Sequence, residues 1–160
     1  MAEQKTNAMR ILEKKKIKYN MYTYETGDSV DGISTANKLG RPLEKVFKTL
    51  VTQGKTKNYY VFVIPVAEEL DLKKAAKCVE EKSVEMIHVK DINAITGYIR
   101  GGCSPIGMKK QFVTTIHNSA KDLETILVSG GRIGFQIELS PIELAEVINA
   151  KFEDIVAEYL

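Results

Sequence analysis

A lysine, two glycine pairs and a cysteine are the residues of this chain whose types and surroundings suggest chemistry. Lys48 lies in "VFKTLV", where a strand's period of two puts Val46, Lys48 and Leu50 on one face and Phe47, Thr49 and Val51 on the other. A cation between two aliphatics is either an edge gatekeeper or a snorkelling side chain, or a charge held in a pocket for a phosphate or a developing oxyanion. "TGYIRGGCSPIGMKK" (96–110) places Gly101 and Gly102 at a bend that Pro105 and Gly107 extend. Glycines allow close backbone approach, and exposed N–H groups at such a bend form an anion-binding nest; the alternative is a plain turn. "SGGRIG" (129–134) repeats the device with Ser129 and Gly130 after an apolar run. It has neither the GK[ST] of a P-loop nor the spacing of GxGxxG, so it is no nucleotide fingerprint. Two such loops suggest two lips of one pocket. Cys103 needs a base and a lowered pKa to act as a nucleophile. No histidine stands beside it, and any triad would have to recruit His88 or His117, the only two in the chain.

The elements that must position these groups are legible along the chain. Residues 4–16 read as an amphipathic helix with Ala8, Ile11 and Leu12 on one side and lysines in its last turn, where cations suit the dipole. A strand over 18–25 follows, then a loop over 26–34, with Ser34 as the expected cap of a short helix that Gly40 closes. Residues 45–53 and 57–65 read as a hairpin turning near Gly54 and Lys55. A helix over 70–82 is capped by Asp71. A short strand over 84–89 and a short helix ended by Gly97 lead into the first glycine loop. Strands over 111–118 and 124–129 and a return strand after Gly134 follow. Pro141 then opens a closing helix running to 160. Paired strands with helices between and around them predict an α+β (mixed α/β) fold, a curled mixed sheet or barrel flanked by helices, in a single domain over 1–160.

The bulk numbers exclude several classes. With 160 residues, 44% hydrophobic and 28% charged, the chain is long enough for a sizeable core and too apolar for disorder. A net charge of +2 gives no nucleic-acid coat, so any RNA contact must be local. "YYVFVIPVA" (59–67) is too short to span a membrane. The polar N-terminus has no signal-peptide core, so a cytoplasmic protein is expected. Cys78 and Cys103 form no CxxC pair and are expected to be reduced thiols. No histidine has metal-ligand spacing, and no metal or cofactor is called for.

Together "KVFKTLV", "PVAEELDLKKAAK", "TGYIRGGCSPIG", "LVSGGRIGFQIEL" and "AKFEDIV" resemble, in order and over roughly residues 5–157, the YbaK/EbsC family, relatives of the editing insertion domain of bacterial prolyl-tRNA synthetase. The resemblance implies trans-editing: hydrolysis of the ester joining a wrong amino acid to tRNA, with Cys-tRNA(Pro) as substrate. The logic is physical, since a synthetase pocket for a small apolar amino acid rejects a near-isostere poorly and a second site must remove the errors. On this likeness Lys48 matches the essential lysine, contacting the terminal nucleotide or the ester, and Gly101 and Gly102 match the substrate cradle. Ser129 and Gly130 form the facing lip, Tyr24 a pocket wall, and Ser104 and Gln136 join the substrate-binding set. Lys109, beside Lys110, would hold the CCA end. No protein nucleophile is implied: the substrate thiol attacks its own ester to release a thiolactone, and Cys103 is a bystander. Prolyl-tRNA synthetase would supply tRNA identity in a ternary complex. Two departures stand out, Gln136 where relatives carry aspartate and no aromatic near Asp31, and both bear on amino-acid choice. Alternatives are alanine, serine or threonine esters as substrates, a non-catalytic module binding tRNA 3′ ends or a synthetase, and a cysteine hydrolase built on Cys103.

Overall fold

The computed structural model describes residues 5–25 and 32–158. Its centre is the hairpin β2 (Phe47–Gly54) and β3 (Tyr59–Pro65), paired antiparallel from Phe47↔Pro65 to Gln53↔Tyr59. β3 explains the long apolar run in the sequence, because it is covered on both faces. Val61 and Val63 enter the main core with Met9, Leu12, Ile116, Val128, Ile137 and Leu144, whereas Phe62 and Ile64 pack against Ala75 and Ala76 of α3 (Leu72–Cys78) and Ile155. A strand covered on both sides reads as continuous apolar sequence rather than alternation. Full burial of Phe62 or Ile64 contributes about 1.5–3 kcal/mol each.

β4 (Val84–Met86), β5 (Val113–His117) and β8 (Lys151–Glu153) complete a mixed five-stranded sheet in the order β4-β2-β3-β5-β8, with β3–β5 and β5–β8 parallel. β1 (Asn20–Thr23), β7 (Phe135–Leu139) and β6 (Ile126–Ser129) form an antiparallel three-stranded sheet. The two sheets meet at one parallel bridge, Val46↔Leu127. This is the expected α+β fold, but its strands divide between two sheets, one mixed and one antiparallel, and do not close into the barrel that the sequence left open.

The free edge of β2 positions everything that follows. β6 touches it just before its start, at Val46, and β4 pairs with it from Thr52, with Ile87 N–H reaching Val51 C=O. Between those contacts no strand covers Phe47 to Leu50 among the described residues.

The helices follow their caps. Thr6 accepts from Met9 N–H to open α1 (Asn7–Lys14), and Asp71 accepts from Lys73 and Lys74 N–H to open α3. Ser140 accepts from Glu143 N–H, with Pro141 in the first turn of α5 (Pro141–Ile148). α4 (Ile92–Thr96) ends at Gly97, whose φ of 88° is left-handed. Two expectations are corrected. The closing helix stops at Ile148, because Asn149 takes a left-handed φ of 53° and the chain returns as β8 on the edge of β5. Pairing with an open sheet edge outweighs the helical pattern of the last residues. Ser34 is the third residue of α2 (Gly32–Leu39) rather than its cap, so that helix starts earlier than expected.

Candidate active site

A cavity of about 140 Å3 opens at the free edge of β2. Lys48, Gly101, Tyr24, Ser129 and Gln136 border it, five residues expected to act together. Each arrives on a different support. Lys48 sits on β2 opposite Ile64, and Tyr24 follows β1, its N–H held by Gly134 C=O at 3.0 Å. Ser129 and Gln136 face each other across the β6–β7 pair. Gly101 has a φ of 86°, a left-handed backbone that strains any residue with a Cβ.

The remaining expected residues lie around the cavity rather than in it. Gly102 N–H donates to Ile99 C=O at 2.9 Å, closing the turn. A Cβ there would stand 2.9 Å from Ile133 N and 3.0 Å from Arg132 C, so Gly102 is where the two glycine loops touch. Ser104 is fully buried, and its hydroxyl accepts from Ile106 N–H at 3.2 Å. Gly130 pairs its N–H with Phe135 C=O and accepts from the Thr6 hydroxyl at 2.5 Å, tying the second loop to α1. Lys109 donates to Ala94 C=O at 3.1 Å and steadies the end of α4. The two-lips expectation is thus a direct contact between the loops, while of the loop residues expected in the site only Gly101 and Ser129 reach the cavity wall. The Asp31 region falls outside the described residues.

Thr35, Thr49, Arg100 and Cys103 also border the cavity. Thr49 was placed on the opposite face to Lys48 by strand alternation. Both reach the cavity because it opens at the strand's uncovered edge, where the two faces meet. Arg100 had a signal in the sequence, a cation directly before the glycine pair.

The electrostatics are one-sided. Burial pushes the Lys48 ammonium below the ordinary lysine value, and Glu69 and Glu68 only partly offset it. Lys48 makes no hydrogen bond or ion pair among the described residues. Burial drives the Cys103 thiol up to about 11, despite a hydrogen bond with Thr96 that favours the thiolate, so it stays protonated at neutral pH. Neither histidine borders the cavity: His117 accepts from Ile155 N–H at 3.3 Å, and His88 lines a separate surface hollow. No carboxylate borders it among the described residues. Two polar atoms are buried there without a partner, Thr49 Oγ1 and Gln136 Oε1. Gln136 is 6% exposed, and orphaning a buried polar atom costs about 1–3 kcal/mol. Thr35 donates to the Tyr24 hydroxyl at 3.2 Å, and Ser129 Oγ accepts from Gly131 N–H, so these three hydroxyls each have a partner. The N–H groups of Gly101 and Cys103 have no acceptor among the described residues.

Such a site holds cationic and N–H donors, unpaired polar oxygens and no acid–base triad, which suits a small ester or acyl group. The model of the aminoacyl-tRNA editing domain matches residues 29–147, and the chain belongs to that family, with it to the aminoacyl-tRNA deacylases. A curated protein of Enterococcus faecalis (strain ATCC 700802 / V583), named as a candidate Cys-tRNA(Pro)/Cys-tRNA(Cys) deacylase, EbsC, is 48% identical over 157 residues, covering 98% of this chain and 96% of that one. Among solved structures, hypothetical protein APE2540 superposes with a TM-score of 0.87 at 20% identity, over 95% of this chain and all of that one. A candidate trans-editing enzyme for prolyl-tRNA synthetase superposes at 0.81 and 20% identity, over 98% of this chain and all of that one. Both share the fold.

Proposed function

We propose that this protein is a trans-editing deacylase that clears cysteine wrongly esterified to tRNA(Pro), through the substrate's own thiol. The observation that carries the reading is the cavity's donor and acceptor balance. Gln136 Oε1 is a buried acceptor without a donor, and the α-ammonium of an aminoacyl ester supplies one. Lys48 and the N–H groups of Gly101 and Cys103 supply positive potential for a carbonyl oxygen becoming an oxyanion. At about 140 Å3 the cavity has room for a group as small as a cysteinyl.

The step needs no protein nucleophile. The substrate Sγ attacks the ester carbonyl, the bond to the ribose oxygen breaks, and that oxygen leaves as a hydroxyl with the thiol's proton. Holding thiol and carbonyl together is worth effective molarities of about 10⁵–10⁸ M, and each oxyanion donor adds roughly 10²–10³. The high pKa of Cys103 supports its standing aside. The relative of known name carries both Cys-tRNA(Pro) and Cys-tRNA(Cys) in that name. A site that reads only the ester end would treat them alike, and tRNA identity would then come from prolyl-tRNA synthetase in a ternary complex, in the cytoplasm where charging occurs.

The test is release of amino acid from Cys-, Ser-, Ala- and Pro-tRNA(Pro), with trapping of thiolactone. Cysteine should be released fast with thiolactone formed, serine far more slowly because its hydroxyl is a much weaker acid than a thiol, and alanine and proline hardly at all. Efficient release of alanine would replace the thiol mechanism with activated water and move the substrate to a smaller ester.

A further inference from the structure

Gly107 of "SPIG" and Gly131, the second glycine of "SGG", lie away from the cavity wall. Their role is on the far side of the loops, where both back onto the start of α1. A Cβ on Gly107 would stand 2.7 Å from Asn7 Nδ2 and 2.8 Å from the Tyr98 hydroxyl oxygen. A Cβ on Gly131 would stand 3.1 Å from Tyr98 Cε1 and 3.3 Å from Thr6 Cβ. One glycine from each loop is thus pressed against the same three side chains.

Hydrogen bonds join those side chains to the loops as well. The Thr6 hydroxyl accepts from Met9 N–H as the cap of α1 and donates to Gly130 C=O at 2.5 Å. A single hydroxyl therefore opens the helix and ties down the second loop. Asn7 Nδ2 donates to Gly107 C=O at 3.0 Å. The buried Tyr98 hydroxyl donates to Ile106 C=O at 2.6 Å, and Ile106 N–H donates in turn to Ser104 Oγ, next in the chain to Cys103. α1 is a firm base for these bonds, because Ala8, Met9 and Leu12 are buried in the main core.

The arrangement answers a need of the site. Residues 97–112 contain neither helix nor strand, so no regular ladder fixes the N–H groups of Gly101 and Cys103. Donors aimed at a developing oxyanion must be held within about 0.5 Å of their working place. We propose that Thr6, Asn7 and Tyr98 form a bracket behind the two glycine loops and are positioning residues for deacylation, a reading that rests on the deacylase assignment above. None of the three borders the cavity, so they act through the loops alone. Apolar packing would set only how close the loops lie. Three donors aimed at the carbonyls of Gly130, Gly107 and Ile106 set their direction too, because a hydrogen bond weakens steeply when misaligned.

The test exploits the helix end. Aspartate is among the best N-caps, and an acidic residue in the first turn suits the helix dipole. Thr6→Asp and Asn7→Asp therefore keep α1 while putting an acceptor where a loop carbonyl needs a donor. Each should lower kcat on Cys-tRNA(Pro) about tenfold or more, with KM within about twofold of the parent and Tm close to it. Thr6→Ser retains both bonds of the hydroxyl and should restore kcat. Backbone amide NMR without substrate should show Gly101 and Cys103 shifted or broadened in the aspartate variants, with Leu12 and Glu13 of α1 in place. Asn7 is exposed, so its variant carries the test even if Thr6→Asp unfolds. Parental kcat and unmoved Gly101 and Cys103 amides in the folded variants overturn the bracket and leave the deacylase reading standing. A raised KM at full kcat also overturns it, since the loops would then serve binding alone. Amides that move in a protein whose wild type releases no amino acid overturn the deacylase reading, and with it the catalytic role given to the bracket.

Discussion

Lys48 carries the sharpest residue-scale expectation because its chemistry and its stability effect point in opposite directions. A lysine whose folded pKa is lowered by burial holds its proton less tightly than in the unfolded chain. Its charge therefore costs stability at every pH below the lowered value, and that cost fades as pH rises through it toward the ordinary 10.5. Lys48→Met should hold or raise Tm at pH 7 and lower deacylation by roughly 10²-fold or more, the scale of losing one oxyanion partner. Near-normal rates in a folded Lys48→Met protein would remove it from the site. Cys103→Ala should keep most activity, because a thiol with a pKa near 11 contributes almost no thiolate at neutral pH. Lys48 could be singled out in the sequence because a cation inside "VFKTLV" conflicts with a strand face otherwise aliphatic. Thr49 could not, since strand alternation says nothing about which stretch of an edge lacks a neighbour. Nor could Gly101 be separated from Gly102: only the fold shows one bordering the cavity and the other pressed against Arg132 and Ile133.

At the scale of elements, β7 holds the site in place through a second polar side chain on the same face as Gln136. Glu138 is 8% exposed and accepts from the Thr125 hydroxyl at 2.8 Å, the Tyr22 hydroxyl at 3.0 Å and the Lys45 ammonium at 3.1 Å. Burial alone would raise its pKa; those three donors outweigh burial and hold it at about 2. The network joins β1, β6, β7 and the turn leading into β2, which between them carry Tyr24, Ser129, Gln136 and Lys48. Its stabilisation is fully present above the unfolded glutamate value of 4.5 and is lost as pH falls from there toward 2. Glu138→Gln should cost about 2–3 kcal/mol at pH 7, allowing for the partly solvated Lys45. Denaturant midpoints of variant and parent should converge across that acidic window, and a pH-independent gap would mean that packing rather than charge is lost. Elements with strong local signals, such as the β2–β3 hairpin, the Asp71 cap and Pro141 at the start of α5, were readable from sequence. β8 was not: its three residues have no strand pattern of their own and become a strand because β5 leaves an edge open beside them.

The whole molecule raises the question of how so lightly charged a chain selects a tRNA. A net charge of +2 is spread over 160 residues, and many lysines are already engaged, Lys74 with Asp154 at 3.0 Å, Lys45 with Glu138 and Lys109 with Ala94 C=O. Near the cavity the described cations are Lys48 and Arg100. Affinity for a nucleic acid grows with the phosphates neutralised, and each one contributes roughly −0.7 to the slope of log affinity against log salt on a single strand. A grip of two or three phosphates at a flexible 3′ end therefore predicts a slope of about −1.4 to −2 for log kcat/KM under subsaturating conditions. The same shallow grip predicts nearly equal kcat/KM for Cys-tRNA(Pro) and Cys-tRNA(Cys) with the isolated protein, because the acceptor ends are all that is read. Adding prolyl-tRNA synthetase should then favour the tRNA(Pro) substrate, by protecting or presenting it, without changing the rate at saturation. The measurement is a salt series on both substrates, with and without the synthetase. A slope several times steeper, or strong preference between the two tRNAs by the isolated protein, would mean that a wider face of this molecule reads the body of the tRNA and that its modest charge is concentrated where it counts.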